Sequence, residues 1–259
     1  MLTPQETRAR RTALRRSAAE VGQRAQRLLV AGQGDLRLQW RYGIVSAAAV
    51  ATVVWVVVLA QMPARALSTA APLAVFSDLG LLALFFLPGL VLFERTERVL
   101  SALVVSPLTF AEYLGSKLAV LTGLAVMASA GLVLLTPGRA RLAPLLAGVV
   151  LLSLVAGLTG FAIVARCETV VEFIMAVQLP ALPLSLPVVS ALGLDPVGVL
   201  GVVLALLPTQ GPMLLLIAAY RPVPTTALVA AVAASLAWLP VLWLLARRAF
   251  ERHVLGGAR

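Results

Sequence analysis

The chain alternates short charged blocks with almost uncharged apolar runs of about 20 residues, the length that carries an α-helix across a hydrocarbon core about 30 Å thick. This pattern restricts the fold more than any motif. Inside a bilayer every backbone N–H and C=O needs a partner within the protein, and a helix supplies all of them within one segment. Composition agrees: 61% of the 259 residues are hydrophobic and 12% charged, against about 25% charged in a soluble domain. The expected fold is an all-α polytopic membrane protein, and a water-soluble domain is excluded.

The runs predict six transmembrane helices, at 43–62, 73–93, 118–136, 143–165, 173–192 and 227–246, between a tail over 1–42 and a tail over 247–259. The fifth run is interrupted by Pro180, Pro183 and Pro187, and the last carries Pro240. Residues 195–220 are apolar but cut by Pro196, Pro208, Gly211 and Pro212. That segment reads as two short re-entrant helices that dip into the outer leaflet and return, with a seventh crossing as the rival count. With six spans and the N-terminus inside, cytosolic segments hold 17 of the 21 Lys and Arg residues, so the positive-inside rule puts both termini in the cytosol of a bacterial plasma membrane protein. Arg139 and Arg141 form a local exception. The formal net charge of +10 matches attraction to an anionic inner leaflet, and no further feature suggests nucleic acid.

The first 42 residues lack the early apolar core of a cleavable signal. Leu14, Ala18, Val21, Ala25 and Leu28 recur at helical spacing, with Arg11, Arg15, Arg16, Arg24 and Arg27 mostly on other faces. This describes an amphipathic helix lying along the cytosolic membrane surface. Gly32 and Gly34 break it, Asp35 caps the next helix, and Trp40 and Tyr42 place aromatic rings at headgroup level.

The loop between spans two and three, Glu94–Lys117, is too organised for a connector. Glu94, Arg95, Glu97 and Arg98 precede an apolar face at Val99, Leu100 and Leu103, which extends the second span into the cytosol. Ser106-Pro107 ends that helix. Thr109 and Glu112 have capping-box spacing, and Leu108 and Tyr113 sit at the positions of a hydrophobic staple. The expected product is a helix, a corner and a second short helix at the cytosolic surface. The alternative is that the loop's charges form exposed pairs worth a few tenths of a kcal/mol each.

This glutamate-arginine start, Ser-Pro-Leu corner and Glu-Tyr-Leu-x-Ser-Lys lead into the third span, together with the 35–42 segment DLRLQWRY, resemble the type-2 ABC exporter permeases. The likeness covers about residues 28 to 250 and is nearest to drug-export permeases of the fluoroquinolone-efflux kind. The resemblance implies a coupling helix that docks on a separate ABC ATPase subunit present in two copies, with ATP and Mg bound there. It marks Glu94, Arg95, Glu97, Arg98, Thr109, Glu112, Tyr113 and Lys117 as docking residues. The loop bearing Arg166, Glu168 and Glu172 is a second candidate contact on the same side.

Other chemistry is poorly supplied. The only lysine lies in Gly-Ser-Lys-Leu over 115–118, which does not complete G-x-x-x-x-G-K-[ST], so ATP hydrolysis belongs to a partner. Single copies of His253 and Cys167 build no metal cluster and no intrachain disulfide. Acidic residues at mid-membrane, expected of ion-coupled carriers, are nearly absent, with Asp78 near the outer end of span two. Gln178, Pro180, Pro183 and Ser185 are candidates for the substrate path, Gln178 alternatively bonding a neighbouring helix. Gly115, Ala119 and Gly123 suggest close packing of span three. Six spans enclose a path poorly, so a dimer of this chain, or of this chain with a related permease, is expected, exporting an apolar or amphipathic small molecule. A secondary transporter or channel, and a membrane scaffold or assembly factor, are the alternatives from other classes.

Overall fold

The computed structural model describes residues 40–41, 43–97, 109–136, 140–194 and 198–252. Among these residues every regular element is helical: α1 Ile44–Ala60, α2 Ala64–Thr96, α3 Phe110–Leu135, α4 Leu142–Val164, α5 Val170–Ser185, α6 Val188–Ala191, α7 Val199–Leu206, α8 Gln210–Tyr220 and α9 Thr225–Phe250. Five stretches are long and apolar enough to cross a membrane: Arg65–Thr96, Phe110–Leu135, Leu142–Val164, Val170–Ala191 and Thr225–Phe250. The first predicted span is α1, whose 17 residues rise about 25 Å, slightly less than a hydrocarbon core. It starts at Gly43, which takes φ +74°, a left-handed conformation that glycine adopts without steric cost.

Local chemistry explains the boundaries. Helix α2 follows Pro63 and runs 33 residues, past both limits of the predicted second span and through Pro72 and Pro88. Helix α3 begins where expected, at a complete capping box. The Thr109 N–H donates to Glu112 Oε2 at 2.9 Å, and the Glu112 N–H donates to Thr109 Oγ1 at 3.3 Å. The sequence suggested a separate short helix after Thr109. Instead α3 continues unbroken into the third span, since Gly115 alone does not outweigh its helix-forming neighbours. Helices α5 and α6 are one apolar span broken at Leu186–Pro187.

Helix α4 is the hub, packing against α2, α3, α8 and α9. Its glycines are the close approaches. A Cβ on Gly157 would lie 2.7 Å from Leu118 of α3, and one on Gly160 would lie 2.7 Å from the Leu84 carbonyl oxygen of α2. Pro88, four residues after Leu84, has no N–H to give that carbonyl, so Gly160 brings the α4 backbone against an acceptor that α2 leaves open. The small-residue stripe predicted on span three does not play this part: an added Cβ at Gly115 or Gly123 meets open space.

Two apolar cores stack along the bundle. One gathers Leu87, Val91, Leu114, Leu118, Phe161 and Phe250; the other gathers Leu67, Val75, Leu132, Leu145, Val149 and Met213. Two short helices, α7 and α8, lie within the 195–220 segment. Helix α8 ends beside the start of α4, where the Arg141 N–H donates to the Ala219 carbonyl at 2.8 Å. Arg221 donates to the Ser190 and Ala191 carbonyls at 2.9 and 3.2 Å, at the close of α6. The turn between α7 and α8 packs against the middle of α9. Trp238 Nε1 donates to the Leu206 carbonyl at 2.8 Å, and the Gly211 N–H donates to Ser235 Oγ at 3.1 Å. Ser235 and Trp238 stand roughly 15–20 Å along α9 from Thr225.

Candidate functional site

The helix ends predicted to face the cytosol are knotted together by polar groups. Glu94, 4% exposed near the end of α2, accepts from Tyr113 Oη at 2.6 Å and from Lys117 Nζ at 2.5 Å. Lys117, the chain's only lysine, is 2% exposed, and its ammonium lies 4.9 Å from the Tyr113 ring centroid. A buried ion pair of this kind is held by its own hydrogen bonds, and removing either partner leaves an uncompensated charge costing about 3–5 kcal/mol. Glu94, Tyr113 and Lys117 therefore fix α2 to α3 from inside the chain instead of presenting a surface.

An aromatic cluster continues the knot. Phe110 packs against Phe161 of α4 and Phe250 of α9, with centroids 5.9 and 5.2 Å away, and Tyr113 meets both rings at 6.4 and 6.0 Å. Arg95 reaches to the end of α4, donating to the Cys167 and Ala165 carbonyls. There the guanidinium meets the negative end of the helix dipole and the carbonyls that helix termination leaves unpaired. Arg41, before α1, lies 3.9 Å from Glu97 after α2, an exposed contact. The start of α1, the end of α2, the start of α3, the end of α4 and the end of α9 thus share one end of the bundle.

The second predicted loop is joined to this end through Arg95. Arg166, Glu168 and Glu172 are exposed on it. The loop carries a cap that the sequence reading missed: the Glu172 N–H donates to Thr169 Oγ1 at 3.2 Å while the Glu168 N–H donates to Glu172 Oε2 at 2.8 Å. Threonine-x-x-glutamate at 169–172 repeats the spacing at 109–112 and was the available signal. Cys167 is buried, and burial pushes its thiol above the ordinary range, helped by Glu172 and opposed by Arg95 and Arg166.

Of the remaining docking candidates, Glu97 and Thr109 are exposed, and Glu112 is occupied in the cap. Arg98 lies outside the described residues, as do Tyr42, Arg15, Arg16, Arg24, Arg27 and the predicted amphipathic helix. Trp40 is exposed, beside Arg41. Among the described residues no group of three or more His, Cys, Asp or Glu side chains is placed to hold a metal ion.

A cavity of about 360 Å³ lies between α2, α4, α5 and the turn before α8. Gln178 and Ser185, two of the predicted substrate-path residues, line it, together with Ser77 and Thr209, which the sequence reading did not single out. Single hydroxyls within apolar helices produce no periodic signal. Pro180 and Pro183 do not line the cavity. They act on the α5 backbone, where each missing N–H leaves the carbonyl four residues earlier, of Ala176 and of Leu179, without its helical donor.

A model of the fluoroquinolones export permease protein family matches residues 26–258 of the chain. Two proteins from different strains of Mycobacterium tuberculosis, each named fluoroquinolones export permease protein, are 37% identical over 196 residues, spanning 75% of this chain and 81% of each relative. The resemblance drawn from the Glu94–Lys117 loop pointed to drug-export permeases of this kind. A match across nearly the whole length, with the helical bundle described above, settles the family: the chain belongs to the fluoroquinolones export permeases.

Proposed function

We propose that this chain is the membrane-spanning subunit of an ATP-driven exporter, that two copies form the substrate path, and that a separate ABC ATPase subunit, also in two copies, binds ATP and Mg. Six crossings, counting α1, place both termini in the cytosol, and α7 and α8 form the re-entrant pair. Fluoroquinolones are the substrate class suggested by the names of the relatives, within a wider class of amphipathic small molecules.

The observation that carries the coupling part of this reading is the polar knot at one end of the bundle. A lever is useful only if its load is transmitted, and the Glu94, Tyr113 and Lys117 contacts together with the Arg95 clamp join α2, α3 and α4 into one stiff unit. Push on the 94–117 loop or on the Arg166–Glu172 loop then reaches the same three helices. Exposed Glu97, Thr109, Arg166 and Glu168 are the surface contacts, while Glu94, Tyr113 and Lys117 are the frame behind them.

The test is ciprofloxacin efflux from cells that carry the chain with its ATPase. A Glu97→Lys, Glu168→Lys double substitution reverses charge on both loops while leaving the buried Glu94, Tyr113 and Lys117 contacts and the Arg95 clamp in place. The expected result is loss of most ATP-dependent efflux, with membrane abundance and thermal stability unchanged. Unchanged efflux refutes the docking assignment.

A further inference from the structure

The cavity between α2, α4 and α5 carries a feature that the packing does not use. Among the described residues neither the Gln178 amide nor the Ser77 hydroxyl has a hydrogen-bond partner, although both line the same space. Serine in an apolar helix commonly donates to a carbonyl one turn back, as Ser153 does to Val149 and Ser235 to Ala231. Ser77 does not. The other two polar side chains at the cavity are half used. Thr209 Oγ1 donates to the Leu184 carbonyl at 2.8 Å and Ser185 Oγ to the Leu182 carbonyl at 2.7 Å, which leaves each oxygen free to accept. The wall therefore offers two amide N–H donors, one hydroxyl donor and several acceptors. No charged side chain lines it, and its apolar surfaces come from residues such as Phe76 and Val188.

Gln178 is exposed at the edge of this space and Ser77 is half-buried within it, so the amide and the hydroxyl are both accessible to a bound molecule. A volume of about 360 Å³ lies at the small end of the range for sites that enclose a drug-sized ligand, about 300–1,000 Å³. We propose that this cavity is a binding subsite, within a single protomer, for an amphipathic aromatic molecule whose polar edge offers uncharged hydrogen-bonding groups to Gln178 and Ser77. No charge lines the cavity, so an ionised group buried there has no counter-ion, and a ligand's charged ends must stay at the open mouth while its uncharged edge enters. The subsite deepens the export reading and rests on it. Each protomer of a dimer then carries its own copy.

The test uses the full chain in lipid nanodiscs and two probes. Ciprofloxacin binding is followed by its own fluorescence. In parallel, a benzamide bearing a trifluoromethyl diazirine, neutral and amphipathic, is photolysed and the labelled peptides are identified. Ala181→Trp fills the cavity from α5, Gln178→Leu removes the amide, and Val241→Trp on the exposed face of α9 is the control. The expected result is saturable benzamide labelling within 76–84 and 178–185 that Ala181→Trp abolishes. Ciprofloxacin affinity falls more than about tenfold in Ala181→Trp and by roughly threefold to tenfold in Gln178→Leu, the range of one hydrogen bond. Val241→Trp stays within about twofold of the unsubstituted chain, as expected for a surface change. Saturable labelling of these helices without ciprofloxacin binding upholds the subsite and removes fluoroquinolones as the substrate class. Ciprofloxacin binding that Ala181→Trp leaves intact, or labelling that never saturates on these helices, overturns the subsite.

Discussion

Lys117 illustrates how much one residue's meaning depends on the fold. By type and position, the only lysine in a membrane protein, at the start of a span, reads as a surface cation. In the structure it is the buried partner of Glu94, over the Tyr113 ring. Sequence spacing showed that residues 94, 113 and 117 lie at the two ends of one loop, but a 23-residue separation does not reveal that the loop closes on itself. Two predictions belong here. Lys117→Met or Glu94→Leu alone should lower stability by about 3 kcal/mol, and the double substitution by clearly less than the sum, since it leaves no unpaired buried charge; thermal unfolding in detergent, followed by tryptophan fluorescence, measures both. Burial and Glu172 hold the Cys167 thiol neutral at physiological pH, so its alkylation by iodoacetamide should be slow at pH 7.5 and rise only above the ordinary thiol range. Denatured chain should react at the usual pH, and fast native labelling at pH 7.5 contradicts the burial.

At the scale of elements, what was legible followed from local chemistry. The Thr109–Glu112 cap, the broken fifth span and the pair of short helices in 195–220 all arise from capping residues and prolines acting on their own neighbourhoods. What failed was a matter of contact between distant segments. Gly115, Ala119 and Gly123 have the four-residue spacing of a packing stripe, yet Ala119 and Gly123 face outward, while Gly157 and Gly160 on α4 make the close crossings. Spacing identifies a face but not its neighbour. A corresponding prediction follows: Gly160→Val should disrupt the α2–α4 crossing and cost about 2–4 kcal/mol through overpacking, whereas Gly123→Val on the exposed face of α3 should change stability by less than about 0.5 kcal/mol. Equal effects at the two positions, compared by thermal melts, contradict this packing.

For the molecule as a whole, the membrane class was readable because charge and hydropathy segregate along the chain, and the family because the 94–117 loop keeps an unusual order of residues. The cavity was only half readable: Gln178 stands out as an amide in an apolar span, but Ser77 and Thr209 come from elements far away in sequence. In the export cycle we propose, movement of substrate is driven by a nucleotide-hydrolysing partner through the knotted end of this bundle. Its most direct measurement is ciprofloxacin uptake by inside-out vesicles carrying the chain and its ATPase. Uptake should need hydrolysable ATP, persist when an uncoupler collapses the proton gradient, and disappear when the ATPase is omitted. Uptake that continues without ATP or the ATPase and stops with the uncoupler would contradict this cycle.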